Sequence, residues 1–430
     1  MKRAARRWWL AVGLAAVCVA GVCAQNPRGT QQKVGNPLND LLNQAREAIA
    51  RKDFEAALAP LQRVIAEQPD FAYAHFQLGY AFTGLKRWDD AKREYSRAAE
   101  LDPRMAEAYL NLGMLLLGRE RGAAVAPLRK AVELLPSQSR PRLLLGVALE
   151  ETDDLAGAID ALKGAATLDP QDFDIRAELG AVFLRAQRCP EAEVEFRAAL
   201  SLQPDSPAAR LGLANALNAR HKPEAAAAYR SYLERKPADK EARARLARLL
   251  SEAKQYDAAL AELDRLEPDP DADSLALRAD ILIARKKPDD ALDALRRAVA
   301  LAPRRLDLRE GLGRTYLEKK DYASAQKELQ AVLASDRDNV PAWKDLSTAY
   351  YLDGNCPAAL AALQELERRE PLSAGAWFVR ATCYDKLKNV PEAIAAYEKF
   401  REVDQGRDFN QDWQAEQRLK TLRRIQDKKH

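Results

Sequence analysis

"FQLGYAFTGLKRWDDAKREYSRAAELDP", from Phe76 to Pro103, returns in altered form along the chain. Variants run from Leu143 to Pro170 ("LLLGVALEETDDLAGAIDALKGAATLDP") and from Leu179 to Pro204 ("LGAVFLRAQRCPEAEVEFRAALSLQP"). Aligned on the closing proline, Pro69, Pro103, Pro136, Pro170, Pro204 and Pro237 are 34, 33, 34, 34 and 33 residues apart. Pro303 and Pro371 continue the series at 66 and 68, two units further each time. Self-similarity at one period is the signature of a repeat array. Inside each unit the apolar residues fall in two helically spaced bursts around a polar turn: Phe76, Leu78, Gly79 and Phe82, then Ala91, Tyr95 and Ala98. Each unit therefore reads as a helix, a tight turn and an antiparallel helix. The closing proline suits a helix end, because it disfavours helical backbone at the residue before it.

Small residues recur in two slots. Gly79, Gly113, Gly146, Gly180, Ala214, Ala247, Ala279, Gly313, Ser347 and Ala381 share one on the first helix. Ala57, Ala91, Ala124, Ala158, Ala192, Ala225, Ala259, Ala291, Ala325, Ala359 and Ala393 share one on the second. A glycine inside a helix costs about 1 kcal/mol relative to alanine, so its recurrence implies a close helix–helix approach. Large residues in step with them (Phe82, Leu116, Leu149, Phe183, Leu217, Leu250, Leu282, Tyr316, Tyr350, Tyr384) are expected to fill the space between units.

This pattern of Leu-Gly, large residue, Ala, large residue, Ala and Pro over about 34 residues resembles the tetratricopeptide repeat. About eleven units are expected, starting near Leu38, Ala72, Ala106, Ser139, Phe173, Pro207, Lys240, Ala272, Leu306, Val340 and Ala374. The expected fold is an all-α, right-handed superhelical solenoid of these repeats, closed by a C-terminal capping helix. The array divides into an N-terminal part over residues 38–239 and a C-terminal part over 240–405, which opens on the unit that departs most: the one from Lys240 is about two residues short and ends in "EPDPDAD". Residues 406–430 form a polar tail with Trp413, Leu419, Leu422 and Ile425 on roughly one side. A terminal element with a polar outer face is what such arrays need; a partner-binding tail is the other reading.

The N-terminus reads separately. "MKRAARRWWLAVGLAAVCVAGVCAQ" has a basic start, an apolar run from Trp8 to about Cys23 and small residues before Gln25. This is the layout of a signal peptide over residues 1–24, cleaved after Ala24. The alternative is an uncleaved anchor. Residues 25–37 are polar and aperiodic, a lead-in without order of its own. The formal net charge is +4, and Lys2, Arg3, Arg6 and Arg7 account for it. A chain without them is close to neutral, which argues against nucleic acid as a partner.

Catalytic signals are missing. His75, His221 and His430 are scattered, without metal-ligand spacing. His75 falls where helices meet and reads as a packed or half-exposed side chain. There is no Gly-rich phosphate loop, G-x-S-x-G or H-E-x-x-H. The expectation is a protein that is not an enzyme and needs no cofactor or metal. Cys356 opens one second helix and Cys383 lies late in the next first helix, so their thiols can face each other. They read either as a disulfide, in an oxidising compartment, or as two buried thiols.

The resemblance implies a concave groove, lined by the first helices, that holds a peptide or a protein surface. Carried onto this chain, the groove residues are Tyr73, Phe76, Tyr80, Leu110, Met114, Leu117, Leu143 and Val147, an apolar stretch. A polar wall of Arg185, Asn215, Asn218, Arg248, Asp280 and Arg314 follows, then Lys344, Tyr351, Phe378 and Lys386. The Lys, Asn and Arg set with which some members clamp a C-terminal carboxylate is not assembled in any adjacent pair of units. The expected function is a periplasmic or secreted scaffold that binds a protein or peptide partner in the groove. The alternative is a membrane-anchored accessory subunit of a secretion or polysaccharide-export assembly, touching the membrane only if the Trp8–Cys23 segment is retained.

Overall fold

The computed structural model describes residues 36–427, apart from 121 and 268. Residues 1–24, where a signal peptide is expected, and the expected lead-in up to residue 35 lie outside the described residues. Among the described residues there are 23 helices and no strand. They pair as α1 (Asn36–Ala50) with α2 (Phe54–Glu67), α3 (Ala72–Gly84) with α4 (Trp88–Leu101), α5 (Ala106–Leu116) with α6 (Val125–Leu134), and α7 (Ser139–Glu151) with α8 (Leu155–Leu168). Next come α9 (Phe173–Arg185) with α10 (Cys189–Leu202), α11 (Pro207–Ala219) with α12 (Ala225–Arg235), α13 (Lys240–Glu252) with α14 (Tyr256–Asp264), and α15 (Ala272–Ala284) with α16 (Pro288–Leu301). The last pairs are α17 (Leu306–Glu318) with α18 (Tyr322–Ser335), α19 (Val340–Leu352) with α20 (Cys356–Glu367), and α21 (Ala374–Lys386) with α22 (Val390–Asp404), before a closing helix α23 (Phe409–Asp427). The eleven pairs begin where the repeat phase puts them, except that α1 starts at Asn36, two residues ahead of Leu38. No helix among the described residues is long and apolar enough to cross a membrane.

The chain divides into two compact units, one up to Pro237 and one from Ala238. The first holds six pairs; the second holds five and α23. Inside each unit every helix packs on the next one in sequence, so the core is a run of neighbour contacts.

The slots explain the packing. None of the eleven second-helix alanines is more than 1% exposed. On the first helices, a Cβ at Gly79 would lie 2.8 Å from Cδ1 of Tyr95, and one at Gly146 would lie 2.5 Å from Cγ of Leu162. The helices of a pair thus touch through a large side chain seated on bare backbone. The turn between them uses a residue with positive φ, such as Lys86 (58°), Lys254 (57°), Lys320 (62°) and Gly354 (81°), and the longer connection from α5 to α6 uses two, Gly118 and Gly122. Side-chain caps start many helices: Asp154 accepts from Gly157 N at 2.9 Å, Asp271 from Ser274 N at 2.7 Å and Asn339 from Ala342 N at 2.8 Å.

The closing helix differs from its expected packing. Its buried face is Ala415, Leu419 and Leu422, while Trp413 is 56% and Ile425 39% exposed. The sequence grouped Trp413 with Leu419, but six residues place two side chains on different sides of a helix. Three ion pairs tie α23 to the pair before it: Arg401 to Asp412 at 2.7 Å, Arg423 to Glu398 at 2.6 Å, and Arg418 to Asp385.

Candidate functional site

Two groups of expected groove residues were placed by the sequence, one in each unit. In the first unit, Tyr73, Phe76, Tyr80, Leu110, Met114 and Leu117 are half-buried. Their rings are engaged with one another and with the core. Tyr73 and Phe76 have centroids 6.5 Å apart, Phe76 and Tyr95 5.8 Å, and Phe54 meets Tyr80 edge-on at 6.1 Å. Leu143 and Val147 do not belong to an accessible face. Each is only 6% exposed and sits inside the core cluster around Leu162. The reason is that α7 is apolar all round: Pro141 and every residue from Leu143 to Leu149 are buried. Met114 from α5 and Leu117, which caps its C-terminal end, pack on the same cluster.

The polar wall is largely committed to structure. Arg185 donates to the Glu150 carbonyl at 2.9 Å and to Asp153 at 2.6 Å. Asn215 accepts from the Tyr229 hydroxyl at 2.7 Å. Arg314 pairs with Glu310 at 2.8 Å and Asp345 at 3.2 Å. Lys344, two turns before Tyr351 on α19, is exposed and paired with Glu370 at 2.6 Å, and it does not line the cavity that holds Tyr351 and Phe378.

In the second unit the structure does bring expected residues together. Tyr351 from α19 and Phe378 from α21 line one open cavity of about 380 Å³. Thr382, Asp385, Tyr397, Trp413, Gln414, Gln417 and Arg418 complete its wall. Phe378, Thr382 and Asp385 are spaced i, i+4 and i+7 and so share one stripe of α21. Ser373 caps that helix by accepting from Ala376 N at 3.3 Å. Phe378 is held edge-on against Tyr397 at 6.0 Å and Phe400 at 5.2 Å. Burial pushes the Tyr397 phenol above its ordinary pKa, against the opposing hydrogen bond to Thr382. Arg418 grips Asp385 with two hydrogen bonds, Nε to Oδ2 at 2.7 Å and Nη2 to Oδ1 at 2.6 Å. Such a fork is a strong, directional pair, and it fixes α23 over the last repeat. The Lys386 ammonium lies 5.0 Å over the Tyr351 ring.

This arrangement suits recognition of a neutral, apolar group. The walls are aromatic, and the two charged members satisfy each other. Gln414 and Gln417 offer amide donors and acceptors at the rim. The sequence reading missed the whole α23 wall. The signal was Trp413, a large aromatic on a largely polar helix, which the sequence groups on one side with Leu419, Leu422 and Ile425.

Cys356 and Cys383 also meet. Both are buried as free thiols in one small cluster with Ala359. The Cys383 thiol is pushed up to about 12, first by burial and then by its hydrogen bond with Cys356. Cys189 is a free, half-buried thiol. Among the described residues no group of His, Cys, Asp or Glu is placed to hold a metal ion.

Family models described as tetratricopeptide repeat match residues 72–105, residues 118–173, 178–220 and 344–407, and residues 223–281 and 282–350. A TPR repeat-containing protein of Pseudomonas aeruginosa is 32% identical over 156 residues, covering 35% of this chain and 61% of that protein. The cytochrome c-type biogenesis protein CycH of the same organism is 30% identical over 160 residues, covering 36% of this chain and 39% of that protein. The chain spans between 18% and 61% of the length of the curated relatives it matches. Among solved structures, MamA from Desulfovibrio magneticus RS-1 is similar at 24% identity and a TM-score of 0.38, covering 40% of this chain and 99% of that one.

Proposed function

Because the chain belongs to the tetratricopeptide repeat family, we propose that it is a non-catalytic scaffold that binds a protein or peptide partner. The contact site in this reading is the cavity framed by α19, α21, α22 and α23. One observation carries it: Tyr351, Phe378 and a Trp413 that is 56% exposed line a single open cavity. A large, half-exposed indole beside an aromatic-walled recess is the kind of anchor around which interface energy concentrates. The Asp385–Arg418 pair leaves no uncompensated charge in the wall. The preferred guest is therefore a segment that inserts an apolar side chain and hydrogen-bonds its main chain to the glutamine rim.

The setting in this reading is the periplasm or the cell exterior. It rests on the basic residues Lys2 to Arg7 and the apolar run from Trp8 to Cys23. The second reading keeps that run as an inner-membrane anchor and makes the chain an accessory subunit of an envelope assembly. N-terminal sequencing of the exported protein separates the two. Gln25 as first residue supports the first reading, and an intact Met1 start supports the second.

The binding claim is tested with a displayed random-peptide library panned on the full chain and on Trp413→Ala. The expected result is enrichment of peptides with a shared aromatic or aliphatic position. Their affinity should fall about thirtyfold on Trp413→Ala, as for an anchor worth about 2 kcal/mol. No enrichment, or equal binding to both proteins, contradicts it.

A further inference from the structure

A side chain near the start of several first helices makes the same pair of bonds. Arg176 donates from Nε to the carbonyl of Pro170, six residues back, at 3.2 Å, and from Nη1 to Glu195, nineteen residues on, at 2.8 Å. Arg309 repeats both offsets, to Pro303 at 3.3 Å and Glu328 at 2.8 Å. Arg210 reaches Pro204 at 3.0 Å and the Ser231 hydroxyl. The backbone partner closes the preceding repeat, and the side-chain partner lies on the second helix of the same repeat. The pair of bonds is a clasp across a repeat junction.

At the junction between the first two repeats the clasp is a histidine. His75, 8% exposed, places Nε2 2.9 Å from the carbonyl of Pro69, six residues back. Its Nδ1 lies 2.6 Å from Oε2 of Glu94, nineteen residues on. A carbonyl and a carboxylate only accept hydrogen bonds. A neutral imidazole has one donor, so only the imidazolium satisfies both partners. The arginine clasps keep their charge at every physiological pH; this one does not.

We propose that His75 is a proton-operated clasp, closing the junction between the first two repeats as an imidazolium and releasing it when the ring is neutralised. The charged groups that act on the ring are Glu94 and Arg97, both on α4, and Arg97 is held at 3.0 Å by Asp70 of the preceding turn. Burial lowers the histidine's affinity for its proton. The bonds to Glu94 and Pro69 and the charge of Glu94 outweigh that effect, and the pKa ends above its ordinary 6.5. A histidine raised in the folded state stabilises fully below its unfolded value and ceases to do so as pH rises through its folded value. The junction is therefore tight below about pH 6.5 and loosens above it. Tyr73, Phe76 and Tyr80 ride on the same helix as His75, so their setting follows the proton. The inference does not depend on the binding role proposed above.

The test uses the full chain. Ring signals of 13C-labelled histidine are followed from pH 5 to 9 by NMR, and the His75 signal is the one absent from His75→Arg. It is expected to titrate with a midpoint above 6.5. Amide hydrogen exchange over residues 70–78, corrected for intrinsic rate, should speed up across the same range by about tenfold per unit of displacement. In His75→Arg, whose guanidinium makes the bonds of Arg176 and Arg309, that acceleration should vanish. A wild-type midpoint at or below 6.5 overturns the proposal, whatever the variant does. So does a pH-dependent loss of protection that persists in His75→Arg.

Discussion

At the scale of the residue, the same substitution has opposite expected effects at two glycines. A Cβ at Gly146 would meet Cγ of Leu162 at 2.5 Å, and Leu162 is fully buried with nowhere to move. Gly146→Ala should lower stability by about 1–2 kcal/mol, overpacking outweighing the helix-propensity gain. At Gly311, inside α17, the nearest atom is Cδ2 of Leu295 at 3.7 Å. Gly311→Ala should raise stability by about 0.5–1 kcal/mol. Urea unfolding of both variants checks the pair; equal signs would contradict the close-approach account. The distinction was legible in the sequence, because Gly146 recurs in phase with Gly79, Gly113 and Gly180 whereas Gly311 does not. The clasp was not. It equates a histidine with arginines, and the offsets of six residues back and nineteen on carry meaning only once the paired helices bring those partners together. The turns hid a similar feature: lysine holds positive φ at Lys86, Lys254 and Lys320, where glycine would have been expected.

At the scale of the element, helix starts such as Ala72, Phe173 and Leu306 follow from repeat phase, since each pair must bury the same slots. The closing helix has no repeat to phase it. Its register is set by Ala415, Leu419 and Leu422 against the last pair and by the Arg418–Asp385 fork. That is why Trp413 was placed on the wrong side and the α23 wall of the cavity went unread. The junction between α20 and α21 carries a further expectation. Refolded with oxidised glutathione, Cys356 and Cys383 should lose their two thiol protons and form a disulfide, the glutathione disulfide being reduced to two thiols. By the loop-closure estimate the bridge should stabilise the second unit by about 3.5 kcal/mol. In the folded, reduced chain the same reaction should be slow, because burial holds the Cys383 thiol up at about 12 and leaves little thiolate to attack. Peptide mapping by mass spectrometry decides. Two free thiols after oxidative refolding would contradict the expectation, and equally fast oxidation of the folded chain would contradict its kinetic half.

At the scale of the whole molecule, stability in a repeat array is close to a sum of unit and neighbour terms. Leu162→Ala, in the core of the fourth pair, should cost about 2–5 kcal/mol. The loss should be local. Amide exchange is expected to rise across α7 to α10 and to stay unchanged in α17 to α22, and a uniform rise would contradict a neighbour-limited core. The same modularity explains what the sequence could say about function. A periodic pattern dictates helices and slots, but a binding site depends on where the pattern stops and an unrepeated helix closes over the last pair.

The most direct measurement of the central claim replaces Trp413 by a photo-crosslinking amino acid in the full chain, expressed in its native cells. The same substitution at Val194, which is 63% exposed in the first unit, serves as the control. The account predicts one discrete crosslinked polypeptide from position 413 that is absent from position 194. No crosslink at 413, or the same products from both positions, would contradict the claim that the cavity beneath α23 is where this protein holds its partner.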